Sequence, residues 1–301
     1  GGYVARGLVN ASVTDVKFGN VAAISDSIDR SGALPLDRAS TGLFDVGLIN
    51  GSGLGGLSVA AKHSIVTDAP LTVANGGQVT FVAPVVDINA DVTAHAGSVT
   101  ITNILRPDAA ALTPIVLTTS DSVAQLTLHA GATIDTRGLW TNAANPLDDL
   151  SGLAFINGGS VSLNSTQGVT VAAGSTIDVS SGGAVLPKGK TTGGKGGSVT
   201  LVADDRSAAG PSVGGRLILD GRINGYGASG GGKLVIGSGP SIVIGGNALA
   251  NDGVLAAGER AQIPLLLAEE IIIPVGGRIP FNYDETLTRL APGDYAPVSL
   301  K

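Results

Sequence analysis

Three histidines, His63, His95 and His129, are the imidazoles of a 301-residue chain that has no cysteine. None has the His-x-x-x-His or cysteine spacing that a metal site requires. His95 and His129 open two copies of the tripeptide His-Ala-Gly, so the wording predicts that they stack in register. Aspartates are the other candidates. Asp135, Asp178 and Asp220 follow short apolar segments, with Arg137, Arg206, Arg216 and Arg222 nearby in sequence. Converging carboxylates, or a carboxylate beside a cation, could cleave a polysaccharide. The simpler expectation is that an Asp at a strand end caps a turn through its side chain. "ADD" (Ala203–Asp205) and "LDD" (Leu147–Asp149) lack the calcium-repeat pattern Gly-Gly-x-Gly-x-Asp. "GYGASGGGK" (Gly225–Lys233) lacks the Gly-Lys-Ser/Thr and helix of a phosphate loop. No catalytic, cofactor-binding or metal-ligating residue is therefore expected.

The elements that would position such residues are written in a recurring phrase. "NGGQVTFVAP" (from Asn75), "HAGSVTITN" (from His95), "NGGSVSLNS" (from Asn157), "GGKGGSVTLVADD" (from Gly193), "VGGRLILDG" (from Val213) and "GGGKLVIGS" (from Gly230) share one rhythm. Val79 and Phe81, Val99 and Ile101, Val161 and Leu163, Val199 and Leu201, Leu217 and Leu219, Leu234 and Ile236 alternate with outward residues. That period of two predicts strands with one buried face. A second phrase, "HAGATIDTRG", "AAGSTIDVSSGG" and "LDGRINGYG", predicts further short strands with Ile134, Ile177 and Ile223 inward. Glycines are expected at the corners for positive φ, as are the Asn-Gly pairs at Asn50, Asn157 and Asn224.

Composition agrees with a packed β protein. Glycine is 46 of 301 residues, aromatics are 3% and charged residues 14%, while 43% are hydrophobic. Low charge excludes simple disorder. No Gly-X-Y period points to collagen, and no apolar run is long enough for a spanning helix. The net charge of −6 gives no footprint for nucleic acid. The chain begins "GGYVARG" without Met or a signal peptide, as expected of a mature or interior piece of something longer.

Gly197, Gly215 and Gly232 head well-matched strands at intervals of 18 and 17 residues. Short strands recurring at such a spacing predict stacked coils in which each turn buries its apolar face against the next. The expected fold is all-β: a right-handed parallel β-helix, or solenoid, with inserted corner loops and an extended, proline-containing C-terminal element. "LTVANGGQVTFVAPVVDINADVTAHAGSVTITN" (Leu71–Asn103) and "GGSVSLNSTQGVTVAAGSTIDVSSGG" (Gly158–Gly183) resemble the filamentous haemagglutinin family. These are large proteins exported by Gram-negative bacteria through two-partner secretion. The resemblance covers roughly Leu54–Gly246. The family's secretion domain carries Asn-Pro-Asn-Leu, where the nearest match here is "NPLD" (Asn145–Asp148), so the chain resembles an interior stretch of the exported passenger.

Three parts are expected: residues 1–53, strand-rich and leading into the coil; 54–252, the β-helix; and 253–301, a packing or contact element rich in proline. Broken rhythm places loop insertions near 103–122, 139–156 and 185–197. Candidate contact residues on them are Arg106, Trp140, Asn142, Phe155, Lys188 and Lys190. Trp140, the sole tryptophan, either folds back over the coil or meets a sugar or protein. The expected function is that of a section of a secreted or surface-exposed adhesin, a rigid rod that displays binding loops and carries no enzyme activity. A β-helical polysaccharide lyase or hydrolase is the alternative, and a stalk for a toxin or filament a further one. The resemblance implies an outer-membrane transporter as partner and a secreted or outer-membrane-associated location. A surface glycan or protein, and further segments or copies at the ends of the coil, are the other expected partners.

Overall fold

A computed structural model describes residues 7–10, 14–20, 40–105, 115–117, 124–145, 151–203, 216–238, 243–244 and 262–263. The protein is all-β and mostly parallel, with almost no helix. Three sheets carry the architecture. The first runs, neighbour to neighbour, through Gly7–Asn10, Gly56–Ala60, Gln78–Val82, Ser98–Thr102, Ser160–Asn164, Ser198–Ala203 and Lys233–Ser238. The second runs through Thr41–Asp45, Asp15–Gly19, Ser64–Thr67, Val85–Ile88, Gln125–Leu128, Gly168–Val171 and Arg216–Leu219. The third runs through Leu71–Thr72, Val92–Thr93, Thr133–Asp135, Thr176–Asp178 and Arg222–Asn224. From Gly56 onward the chain makes five circuits through the first, second and third sheets in that order.

Each circuit pairs with the last in register, so like residues stack on like. In the first sheet Phe81, Ile101, Leu163, Leu201 and Ile236 form one column. Val92, Ile134, Ile177 and Ile223 form another in the third. These alternating residues meet in one apolar core; Val79, Val99, Val161, Leu201, Ile134 and Ile177 are almost wholly buried. Ile223, Leu234 and Ile236 pack against that core and are only partly buried. Residues 1–53 contribute strands to the same first and second sheets. Of residues 253–301, only 262–263 is described, paired parallel to 243–244.

The recurring phrase has a different cause from the one expected. Gly77, Gly97, Gly159 and Gly197 stand at the corner entering the first sheet, and none has a positive φ. A Cβ on Gly97 would collide with the Gly77 carbonyl oxygen, one on Gly159 with that of Gly97, and one on Gly197 with that of Gly159. Successive circuits therefore touch backbone to backbone here, and only hydrogen fits between them. Positive φ belongs instead to Gly76, Gly131 and Gly174, and to Ala96, which occupies Gly76's place one circuit on. The Asn-Gly pairs are also corrected: Gly51, Gly158 and Gly225 have no positive φ. Their asparagines reach across to a neighbouring segment, as when the Lys195 N–H donates to Asn157 Oδ1 at 2.9 Å.

The strand "RLIL" of the phrase from Val213 lies in the second sheet, not beside the other copies. Gly197 to Gly232 is thus one whole circuit rather than two, and repetition of wording overstates the number of turns.

One end of the third sheet is closed by a helix that the sequence rhythm did not announce. Val46–Asn50 is capped by Asp45, whose Oδ1 accepts from Gly47 N–H at 2.9 Å. Val46 is buried and Ile49 packs on the core. Asn50 then acts as a substitute strand: its Nδ2 donates to the Pro70 carbonyl at 2.9 Å and its Oδ1 accepts from Thr72 N–H at 2.7 Å. Backbone groups on an open sheet edge invite further pairing. The side-chain amide satisfies two of them.

Candidate functional site

Asp135 and Asp178 stack in register on the outside of the third sheet, and the next residue in their column is Asn224. Asp220 was expected at this place, but it precedes the strand and is exposed. Each aspartate folds a turn: Asp135 Oδ1 accepts from the Arg137 N–H at 2.9 Å, and Asp178 Oδ1 from the Ser180 N–H at 2.9 Å. The Arg137 guanidinium returns to Asp135, with Nη2–Oδ2 at 2.6 Å and Nε–Oδ1 at 3.0 Å, and lies 4.0 Å from Asp178 Oδ2. Asn224 Nδ2 donates to Asp178 Oδ2 at 3.3 Å. Burial pushes the Asp135 carboxyl up, but Arg137, through its side chain, its N–H and its charge, holds it below the usual carboxylate range. Asp135 is thus kept ionised and fully engaged, which suits neither a proton donor nor a free base. Arg222 is exposed, and Arg206 lies outside the described residues, as do the paired aspartates 148–149 and 204–205.

Each histidine faces an aspartate. His63 Nδ1 is 2.7 Å from Asp15 Oδ1, and His129 Nε2 is 2.8 Å from Asp87 Oδ1. His95 Nδ1 is 3.6 Å from Asp135 Oδ1, too long for a hydrogen bond though within reach of its charge. His95 and His129 do not stack, contrary to the expectation. His95 sits between the third and first sheets, His129 between the second and third. Among the described residues no group of three metal-ligating side chains converges.

Two of the three expected loop insertions come together. Trp140–Asn142 pairs parallel to Gly183–Val185, which pairs antiparallel to Thr191–Gly193, making a small extra sheet beyond the third. It unites residues from 139–156 and 185–197. Trp140 is 74% exposed, so it does not fold into the core. Its indole rests on Gly183, where a Cβ would come within 2.8 Å of the ring. Asn142, Lys188 and Lys190 are exposed, Lys188 within the turn at Pro187–Gly189 and Lys190 directly after it. Phe155 is half-buried, its ring over the Gly76 turn. The third insertion springs from a different corner: Ile104–Leu105 pairs antiparallel with Ile115–Val116, above the buried Asn103. Arg106 lies outside the described residues.

Tyr226 is an exposed aromatic residue that sequence reasoning passed over. It follows Arg222–Asn224, is 61% exposed, and belongs to the column of Arg137 and Ser180. Its N–H donates to Ser180 Oγ at 3.2 Å. The clue was its place in "GRINGYG", two residues past the strand end where Arg137 also stands.

A shallow groove of ≈ 480 Å³ crosses the glycine corner, edged by Ser160, Ser198 and Lys233. The backbone N–H groups of Ser160, Ser198 and Lys233 join neighbouring circuits there, reaching the Gly97, Gly159 and Gly197 carbonyls at 2.9, 3.0 and 2.8 Å. No family model, curated protein or solved structure matches the chain.

Proposed function

We propose that this chain is a section of a rod-like surface protein of the filamentous haemagglutinin type, built as a right-handed parallel β-helix that carries contact loops outward. The observation that supports it is the invariant circuit through three parallel sheets, stacked in register five times. A strand that returns to the same sheet in parallel needs a crossover, and right-handed crossovers dominate in proteins. Each circuit then adds about 4.8 Å of length. Such a molecule gains reach by repetition and needs chemistry only where loops leave the stack. Export through an outer-membrane partner, and a secreted or cell-surface location, follow from the resemblance noted in the sequence.

The polysaccharide-cleaving alternative finds less support. Its best residues, Asp135 and Arg137, are consumed by one another, and Asp135 is held as a carboxylate. Protease shaving of intact source cells tests the proposal. Peptides ending at Lys188 or Lys190 are expected in the released fraction while cytosolic markers stay inside. Recovery of the protein only after lysis would overturn the surface assignment.

A further inference from the structure

We infer that Asn224 is a site of spontaneous deamidation, in which the Gly225 backbone nitrogen closes on the Asn224 side chain and the product loosens the strand Arg222–Asn224. Asparagine is a thermolabile residue. A following glycine favours its loss, because no side chain hinders the attacking nitrogen. The sequence holds four Asn-Gly pairs, at Asn50, Asn75, Asn157 and Asn224. In three of them the glycine N–H is bound: Gly51 to the Gly47 carbonyl at 3.2 Å, Gly76 to that of His95 at 2.7 Å, and Gly158 to that of Lys195 at 2.9 Å. The fourth differs. The Asn224 carbonyl accepts from Val179 N–H at 2.8 Å, and across a trans peptide the next N–H lies opposite that carbonyl. Gly225 N–H therefore points away from Val179, and it has no acceptor among the described residues.

The attack needs that N–H. Its proton goes to hydroxide, the Gly225 nitrogen bonds to Asn224 Cγ, and the Cγ–Nδ2 bond breaks as Nδ2 takes a proton from water and leaves as ammonia. Water then adds to either carbonyl of the five-membered imide, and the ring opens to aspartate or isoaspartate. Asn224 Nδ2 is held by one long bond, 3.3 Å to Asp178 Oδ2, and turning the backbone into the ring releases the Val179 bond. At Asn157 two bonds of 2.9 Å to Lys195 must break, one of them on the attacking N–H itself. The product changes the column. An aspartate at 224 replaces a donor to Asp178 with a second carboxylate, and like charges directly opposite destabilise a strand pair. Arg137 is already committed, 2.6 Å from Asp135 and 4.0 Å from Asp178. Isoaspartate lengthens the main chain by one carbon and breaks the match with Asp178.

Trypsin releases Ile223–Lys233, "INGYGASGGGK", in which Asn224 is the sole asparagine. The full chain is held in mildly alkaline water enriched in heavy oxygen, then digested in ordinary water at mildly acidic pH, so that label enters only during the hold. Asn224 is expected to take up label about fivefold faster than Asn50, Asn75 or Asn157, since freeing a bonded N–H costs about 1 kcal/mol. In urea, where no fold masks any of the four, the rates should converge. Labelling of Asn224 in the folded chain no faster than at the other three would overturn the inference. Asn224→Gln should remove the label from this peptide. Asn224→Asp is expected to speed hydrogen exchange across Ile223–Lys233 severalfold. Exchange there at the parent's rate would refute the loosening.

Discussion

At the scale of single residues, the ion pair on the third sheet makes stability depend on pH in a defined direction. The Asp135 side chain is nearly buried, and burial alone would favour its protonated form; Arg137 reverses that balance. A carboxyl depressed in the folded state contributes stability above its unfolded pKa of about 3.9, and loses it as pH falls through the lower folded value. Arg137→Ala should therefore cost about 1 kcal/mol at pH 7, the half-exposed guanidinium being screened by water. That deficit should shrink towards pH 3, where protonation removes the unpaired charge. Urea unfolding at both pH values checks it; an equal deficit at each would mean that Arg137 acts through packing alone. Ala96 offers the opposite case. With φ of 53° it holds a conformation that costs an L residue about 1–2 kcal/mol, and Gly76 takes that conformation in the preceding circuit. Ala96→Gly should stabilise the protein by up to about 1 kcal/mol, the unfolded chain's added freedom offsetting the rest. A lowered melting temperature would show that the strain is absorbed elsewhere.

At the scale of elements, glycine has two unlike duties, and the sequence separated them poorly. Strand positions were legible because alternation is a local signal: Val161 and Leu163 are inward as their spacing requires. The identical wording of Gly-Gly before each strand concealed whether φ or close approach selected it. Close approach depends on the circuit below, which contributes the Gly77, Gly97 and Gly159 carbonyls from distant sequence. For the same reason His95 and His129 shared a tripeptide yet occupy different corners. Asp178 and Asn224 share a column although their types differ. The exposed aromatic side chains were half legible. Trp140 stood out by type, whereas Tyr226 acquires meaning only from register. The two duties predict different costs. Gly197→Ala meets backbone oxygen and must spread two circuits, destabilising by about 3 kcal/mol or more. Gly131→Ala has open space and pays only for its φ of 83°, about 1–2 kcal/mol. Chemical denaturation of both variants checks the order, and equal costs would reject the backbone-contact account of the corner.

At the scale of the molecule, each circuit touches chiefly the ones before and after it, so stability is close to a sum of nearest-neighbour terms. Central circuits have two neighbours. Leu234 and Ile236 are only partly buried, whereas Val161 and Leu163 are almost wholly so. The N-terminal side of the third sheet is closed by Val46–Asn50 and the Asn50 amide. Local opening should therefore reach the partly buried Lys233–Ser238 strand before the circuit through Ser98–Asp135, whose inward residues are almost wholly buried. Leu201 is fully buried in the core column between Leu163 and Ile236. Leu201→Asp places an unpaired charge there, a cost of several kcal/mol. In a globule of many crossing contacts that cost would lower protection everywhere. In this stack it should abolish protection over Ser198–Ser238, weaken Ser160–Asp178 beside it, and leave Gln78–Ile88 within about threefold of the parent. Hydrogen exchange read by mass spectrometry resolves these segments. A uniform loss from Gly56 to Ser238 would refute the nearest-neighbour description and with it the view that circuits are independent units of length.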